Sequence, residues 1–132
     1  MNQPLTLAIM IASGYERGES PALQHERLDF LLSSILTPRQ GYTFPSNVRI
    51  LVCDDYSSNS WGQERCSEVC SKYQVDYRVK PGPWKGPCSN YNFAVQCSNT
   101  ENIAMLGDDQ FCTPGWWDYM TYFIDNNPTL KW

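Results

Sequence analysis

Two apolar runs in this chain each lead into a pair of aspartates. Residues 48–53 run into Asp54–Asp55, and residues 103–106 run through one glycine into Asp108–Asp109. Short runs rich in Val, Ile and Leu are typical of strands buried in a parallel sheet. In such α/β sheets the carboxyl ends of the strands open into the crevice where ligands bind. The two acidic pairs therefore predict a site for a metal ion and a nucleotide.

The rest of the chain alternates between strand and helix signals. Residues 5–12 form a continuous apolar run with one threonine, as expected of a buried parallel strand. Residues 25–36 carry apolar side chains at helical spacing, and Pro38 ends that segment. The predicted strands are 5–12, 48–53, 75–79 and 102–106, and the predicted helices are 25–36, 60–73, 89–97 and 114–126.

Three of the predicted helices have a capping signal at their start. Ser60 and Gln63 form a capping box, and Ser89 is a cap for the next helix. Thr113 followed by Pro114 reads as a cap with proline at the first helical position. These residues set the expected helix boundaries.

The βαβαβαβα pattern predicts an α/β fold formed by one domain, residues 1–132. We expect a Rossmann-like, mainly parallel sheet with right-handed crossovers and helices on both faces. A doubly wound strand order of 3-2-1-4 places the first strand between the second and the fourth. Ala12, Ser13 and Tyr15, at the end of the first strand, are then expected between the two acidic pairs.

Composition excludes several classes of partner. The net charge is −4, from 14 acidic and 10 basic residues, with no basic stripe to follow a phosphate backbone, so we expect no nucleic-acid partner. No signal peptide and no apolar run of about 18 residues is visible, so we expect no transmembrane segment and a cytoplasmic protein.

The six cysteines are expected as reduced thiols. For Cys66 and Cys70, four apart, a helical core stripe is favoured over a zinc site.

The second acidic pair suits a divalent cation. Mg²⁺ and Mn²⁺ are commonly held by one or two carboxylates, while substrate phosphates and water complete the coordination shell. Asp109 and Asp108 are the candidate metal ligands, and one of the two could instead bind a ribose hydroxyl. The alternative is that Asp108 caps the turn and Asp109 is only solvated.

The first acidic pair, Asp54 and Asp55, suits a nucleotide base. An ionised carboxylate only accepts hydrogen bonds, so it could accept from the imide N3–H of uracil. Cytosine has no such proton, and the same position would disfavour it. The alternative is that either aspartate satisfies backbone amides in the turn at 57–59.

Other residues near the strand ends have two interpretations each. Tyr15 could stack on a base or pack in the core, and Lys80 and Lys85 could reach a diphosphate or be solvated. Trp116 and Trp117 follow the second acidic pair, where an aromatic face could contact a sugar ring. Their helical spacing places one of the two in the core.

Several segments, taken in order, resemble family 2 of the GT-A glycosyltransferases. Residues 9–17 are similar to the first strand and the Thr/Ser-Tyr-Asn-Arg loop of the family. Residues 50–57 are similar to its strand ending in Asp-Asp-Gly-Ser, with Tyr56 in place of glycine. Residues 90–94 resemble the segment Arg-Asn-x-Gly/Ala, and residues 102–116 resemble the strand with its Asp-x-Asp-like motif and following turn.

The resemblance implies a GT-A fold and a UDP-sugar donor. It implies that Asp55 binds uracil, that Tyr15 stacks nearby and that Asp108 contacts ribose. It also implies that Asp109 ligates Mn²⁺ or Mg²⁺ on the diphosphate. The implied activity is hexosyl transfer with inversion to an unknown acceptor, which could be a saccharide, a protein or a lipid-linked group. Slow hydrolysis of the sugar nucleotide is the alternative outcome.

The chain also departs from the family pattern. Its motif is Asp108-Asp109-Gln110 rather than Asp-x-Asp. The family's second half, which carries the acceptor site and the catalytic base, is not found, so we assign no catalytic residue. A non-catalytic sugar-nucleotide-binding module, or a fragment that needs a partner for acceptor binding, therefore stays open, as does a homo-oligomer.

Two other protein classes are disfavoured. A response-regulator receiver is disfavoured by a strand–helix unit that precedes the first acidic pair. A polymerase palm is disfavoured by the βαβ pattern and the acidic charge.

Overall fold

Four parallel strands form the central sheet of the computed structural model, which describes residues 4–11, 21–37, 44–55, 60–82, 86–113 and 115–127. Strands and helices alternate through the described residues, as predicted. The elements are β1 (Leu5–Ile11), α1 (Pro21–Leu36), β2 (Val48–Asp54), α2 (Ser60–Tyr73), β3 (Asp76–Val79), α3 (Pro87–Cys97), β4 (Asn102–Gly107) and α4 (Trp116–Asn126).

The strand order is β3-β2-β1-β4, which confirms the predicted order. β1 pairs in parallel with both β2 and β4, and all seven of its residues are buried. At its carboxyl end, Ile11 pairs with Asp54 and Met10 pairs with Gly107. The register therefore brings the ends of β2 and β4 to the two sides of β1.

Helices cover both faces of the sheet, also as predicted. On one face the odd-numbered residues of β1 pack against α1, α2 and Trp117 of α4. On the other face Ala8 and Met10 pack with Leu51 and Cys53 of β2 and with Ala94 of α3. This alternation follows from the two-residue period of a strand. The exposed and half-buried residues of β3 alternate in the same way.

Three predicted helix starts were wrong. α1 begins at Pro21 rather than at residue 25, with proline in its first turn. α3 begins at Pro87, after Gly86 with a φ of 91°, and Ser89 is not its cap. α4 begins at Trp116, after Gly115 with a φ of 84°, rather than at the predicted Thr113 cap. In the last two cases a glycine in the positive-φ region makes the turn into the helix, which side-chain capping rules do not anticipate.

The predicted core stripe of Cys66 and Cys70 is confirmed, because both side chains lie in the core between α2 and the sheet. All six cysteines are free thiols in the structure. Burial raises the pKa of Cys66 and Cys70, and that of Cys53, to about 12. Over the residues that the structure describes, none of the helices is long and apolar enough to cross a membrane. The predicted capping side chain of Ser60 lies outside that part.

Candidate functional site

The two acidic pairs are attached to neighbouring carbonyl groups at the end of β1. The amide of Asp55 donates a hydrogen bond to the Ile11 carbonyl oxygen at 3.0 Å. The amide of Asp108 donates to the Met10 carbonyl oxygen at 3.1 Å. Both bonds lie just beyond the regular ladder, where β1 stands between β2 and β4. The structure therefore brings the two pairs to the carboxyl edge of the sheet on the two sides of β1, the edge at which open α/β sheets bind ligands.

Asp54 and Asp55 have different environments although they are adjacent. Asp54 is fully buried, and its Oδ2 accepts a hydrogen bond of 2.6 Å from the hydroxyl of Tyr77 on β3. Its charge also acts on Cys66 and Cys70 of α2, so its carboxylate lies on the α2 face of the sheet. Burial, followed by the charge of Asp54, raises the pKa of Tyr77. These contacts give Asp54 a role in the packing of β2, β3 and α2.

Asp55 is buried, and among the described residues the cation beside it is Lys80. Lys80 Nζ lies 3.3 Å from Asp55 Oδ1, and the two side chains are only 9% and 1% exposed. Neither carboxylate oxygen meets the geometry of a hydrogen bond to a donor in the described part of the chain. Burial raises the pKa of Asp55, while the positive charge of Lys80 acts in the opposite direction. A buried carboxylate with unused acceptor capacity is suited to a ligand that brings a donor.

Asn90 connects α3 to this edge of the sheet, a role that the sequence analysis did not predict. Its Nδ2 donates to the Cys53 carbonyl oxygen at 3.2 Å and to the Ile11 carbonyl oxygen at 3.4 Å. Asn90 is 2% exposed, and its Oδ1 has no donor within the described residues. Because the backbone amide of Asp55 binds the same Ile11 carbonyl, the Asn90 side-chain amide lies beside the backbone of Asp55. An asparagine on the sheet-facing side of α3 was the available signal.

Asp108 and Asp109 also differ. Asp108 is 1% exposed, and its Oδ2 accepts a hydrogen bond of 3.0 Å from Arg27 of α1. Asp109 is exposed, and its carboxylate folds back over Gly107, where an added Cβ would lie 2.8 Å from Asp109 Oδ1. Gln110 stabilises the same turn, since its Oε1 accepts from the Gly107 amide at 2.6 Å. Asp109 is thus the carboxylate of the pair that solvent can reach.

The chemistry of Asp109 fits a hard divalent cation that arrives with a diphosphate. Among the described ranges, no group of three or more His, Cys, Asp or Glu side chains is arranged to hold a metal ion. Mg²⁺ in phosphate-transfer sites typically needs only one or two carboxylates, because substrate phosphates and water supply the other ligands. Asp109 offers such a carboxylate, whereas the charge of Asp108 is balanced by Arg27.

The remaining candidate residues are placed as follows. Ala12, Ser13, Tyr15 and Lys85 lie outside the described residues. Lys80 is nearly buried and paired with Asp55, a contact that the sequence analysis did not consider. For the two tryptophans the prediction that one is core is confirmed, because Trp117 is buried and Trp116 packs edge-on against it at 5.3 Å.

Comparison with known proteins identifies a family over most of the chain. The family model described as "Glycosyl transferase family 2" matches residues 25–130. No curated protein matches the sequence significantly.

Solved structures with a similar fold include those of S. aureus TarS and of a mannosyltransferase from Pyrobaculum calidifontis. A crystal structure of S. aureus TarS, residues 1–349, has 16% identity and a TM-score of 0.64, covering 95% of this chain and 33% of that chain. The same TarS segment in complex with UDP-GlcNAc has 16% identity and a TM-score of 0.54, covering 93% of this chain and 32% of that chain. The mannosyltransferase PcManGT from Pyrobaculum calidifontis, in complex with GDP-Man and Mn²⁺, has 14% identity and a TM-score of 0.55. The match covers 83% of this chain and 28% of that chain.

These likenesses concern the fold. At such low identity they show that the sheet and its helices follow the arrangement of these proteins. The chain spans no more than about a third of the length of each of them.

Proposed function

This chain belongs to glycosyl transferase family 2, and on that premise we propose that it binds a UDP-sugar with Mn²⁺ or Mg²⁺ and transfers the sugar to an acceptor. The observation that carries this proposal is the attachment of Asp55 and Asp108 to consecutive carbonyls of β1. It brings a buried carboxylate and an exposed acidic turn to the two sides of β1 at the carboxyl edge of the sheet. A nucleotide-sugar needs one position for its base and another for its diphosphate, and these two features would supply them.

Asp55 is the proposed base contact. Its carboxylate is buried, ionically paired with Lys80 and without a hydrogen-bond donor in the described part. The imide N3–H of uracil would supply that donor, and an acceptor-only group rejects a base edge that presents a lone pair. Asp54 is proposed to support this position indirectly, because its carboxylate is bound by Tyr77 on the other side of the strand.

Asp109 is the proposed metal ligand, and Asp108 the proposed contact for ribose. Arg27 fixes the Asp108 carboxylate from α1, so Asp108 is held in one orientation beside β1. A bound cation would neutralise the negative charge that develops on the UDP leaving group. In this proposal Ala12, Ser13 and Tyr15 contact the nucleotide, and Lys85 contacts the diphosphate.

The structural neighbours support the class of ligand. One of them is described in complex with UDP-GlcNAc and another with GDP-Man and Mn²⁺. Guanine also presents a ring N–H donor, at N1, so a GDP-sugar is the main rival donor. The proposed reaction is hexosyl transfer with inversion to an acceptor that could be a saccharide, a protein or a lipid-linked group, and donor hydrolysis is the side reaction.

A non-catalytic sugar-nucleotide-binding module is the second candidate. This module is favoured because three of the site carboxylates are buried and already have protein partners. Tyr77 contacts Asp54, Lys80 contacts Asp55, and Arg27 contacts Asp108. Asp109, the exposed carboxylate of the acidic turn, is assigned to the metal. Within the described residues, we therefore assign no carboxylate as the base that would deprotonate an acceptor.

Turnover of a panel of UDP-sugars and GDP-sugars separates these functions. The chain would be incubated with each donor and Mn²⁺, with and without simple glycoside acceptors, and release of the nucleoside diphosphate would be measured beside binding. A transferase releases UDP faster with acceptor than without. Saturable binding without release supports the binding module, and the absence of both binding and release contradicts the proposed function.

A further inference from the structure

Lys80 is fixed beside Asp55 at both its backbone and its side chain. Its amide donates a hydrogen bond of 2.7 Å to the Asp54 carbonyl, which extends the pairing of β3 with β2 by one residue. Its ammonium group then lies 3.3 Å from Asp55 Oδ1 and donates to the Pro81 carbonyl at 3.4 Å. The Lys80 side chain is only 9% exposed. Lysine side chains are almost never fully buried unless they are paired, and here the partner is Asp55. The position of this cation is therefore set by the fold.

Few charges in the described part of the chain act on Asp55. Lys80 favours the ionised carboxylate, and the neighbouring Asp54 disfavours it. From α3, the group beside Asp55 is the neutral amide of Asn90. Burial opposes ionisation as well. Among the described residues, Lys80 is thus the one cation that favours the ionised form of Asp55.

We propose that Lys80 determines the base specificity of the nucleotide site, because its ammonium group keeps Asp55 ionised and so restricts the base position to a ring with an imide N–H, uracil rather than cytosine. The proposal rests on the function proposed above and assigns Lys80 as a positioning residue that acts through Asp55. It differs from a lysine that binds the diphosphate, since the ammonium group is already engaged at the carboxylate.

The chemistry of the two protonation states explains why the charge matters. An ionised carboxylate offers only acceptors, so it pairs with the N3–H of uracil and repels the N3 lone pair of cytosine. A protonated carboxyl group offers one donor and one acceptor, so it can pair with either ring. Carboxyl groups in apolar sites are known to remain protonated near neutral pH and to act as donors. Without Lys80, burial would move Asp55 toward that state.

The test compares UDP with CDP in three forms of the protein. Affinities of wild type, Lys80→Met and Lys80→Arg would be measured by calorimetry in Mn²⁺ at about pH 8 and about pH 5.5, and the ratio of CDP to UDP dissociation constants would be taken. Both nucleotides carry the same diphosphate, so its protonation and its metal binding cancel in the ratio. We expect a ratio that hardly changes with pH in wild type and Lys80→Arg. In Lys80→Met we expect the ratio to fall by about tenfold or more as the pH is lowered.

A second variant keeps the proposal testable if Lys80→Met does not fold. Asp55→Asn carries a permanent donor and acceptor, so it should lose discrimination at both pH values. Adding Lys80→Gln in the Asp55→Asn background should change the ratio no further, because the two residues act as one unit. A folded Lys80→Met protein that keeps the wild-type ratio at low pH would overturn the proposal, as would full discrimination by Asp55→Asn. Failure of wild type to bind UDP would instead contradict the proposed function.

Discussion

Arg27 of α1 donates a hydrogen bond of 3.0 Å to Oδ2 of Asp108, although the two residues are 81 positions apart in the sequence. The backbone amide of Asp108 also donates a hydrogen bond to the Met10 carbonyl oxygen of β1. Its backbone is thus fixed to the sheet and its carboxylate to the helix. The acidic turn after β4 owes its geometry to both contacts.

We predict that Arg27→Met lowers the free energy of unfolding by about 3 kcal/mol, the lower end of the range for breaking a buried ion pair, because Arg27 itself is partly exposed. Urea denaturation measures this change. Arg27→Lys keeps the charge but lacks the planar fork, so its loss should be smaller. Equal stability of Arg27→Met and wild type would show that the pair has no structural role.

The alternation of strands and helices could be predicted because it follows from short-range patterns, such as the apolar run of β1 and the alternation of β3. The right-handed crossover rule then favours a parallel sheet. The strand order was taken from the doubly wound fold, and the structure confirms it. The starts of α3 and α4 could not be predicted in the same way. At both, a glycine with positive φ, Gly86 or Gly115, makes the turn, and the nearby Ser89 and Thr113 are more conspicuous in the sequence.

The site was predictable in position and less so in its contacts. The acidic pairs lie where the strand ends require, but the partners of their carboxylates come from distant segments. Arg27 binds Asp108 across the chain, and Lys80 binds Asp55. No local pattern distinguishes such lysines and arginines from solvated ones, because the contact depends on how α1 and β3 pack.

Two tyrosine–aspartate hydrogen bonds of equal length allow a matched comparison of burial. Tyr77 donates to Asp54 at 2.6 Å inside the core, and Tyr73 donates to Asp29 at 2.6 Å where the Asp29 side chain is 41% exposed. We predict that Tyr77→Phe costs about 2 kcal/mol of unfolding free energy, because it removes a donor from a buried carboxylate. Tyr73→Phe should cost only about 0.5 kcal/mol at neutral pH.

The Tyr73 effect should also depend on pH. The hydrogen bond from Tyr73 is the main cause that lowers the pKa of Asp29 below its ordinary value of 3.8. The hydrogen bond and the positive charge of Lys72 lower this pKa further. A lowered carboxyl pKa stabilises the fold above the ordinary value, and the contribution is lost as the pH falls through the lowered pKa. Chemical denaturation at neutral and at acid pH should therefore show a smaller difference between Tyr73→Phe and wild type in acid. A difference that grows in acid would contradict this assignment.

Gly107→Ala should separate the metal site from stability. An added Cβ would lie 2.8 Å from Asp109 Oδ1, the mobile end of a side chain, so the carboxylate must move while the strand stays in place. We predict a small change in melting temperature and a loss of about tenfold in the affinity for UDP in Mn²⁺, comparable to disturbing the support of a metal ligand. If UDP affinity is retained, the observed orientation of Asp109 is not needed for binding.

The reactivity of the cysteines tests the core. With a pKa of about 12, Cys53, Cys66 and Cys70 hold only a minute thiolate fraction at neutral pH. Cys88 is exposed on α3. In the native protein we expect iodoacetamide to label Cys88 readily and these three only after unfolding, as read by peptide mass spectrometry. Rapid native labelling of Cys66 or Cys70 would contradict the packing of α2 on the sheet.

The proposed function depends most on the binding of UDP at the carboxyl edge of the sheet beside β1, through a divalent cation at Asp109. The most direct measurement is calorimetric titration of wild type and Asp109→Ala with UDP, once in Mn²⁺ and once in EDTA, with GDP as the base control. We predict binding of UDP by wild type in Mn²⁺, little binding in EDTA or by Asp109→Ala, and weaker binding of GDP, while the Asp109→Ala protein remains folded. Equal UDP affinity with and without Mn²⁺, or in wild type and Asp109→Ala, would contradict the metal assignment, and no binding of UDP under any condition would contradict the nucleotide site itself.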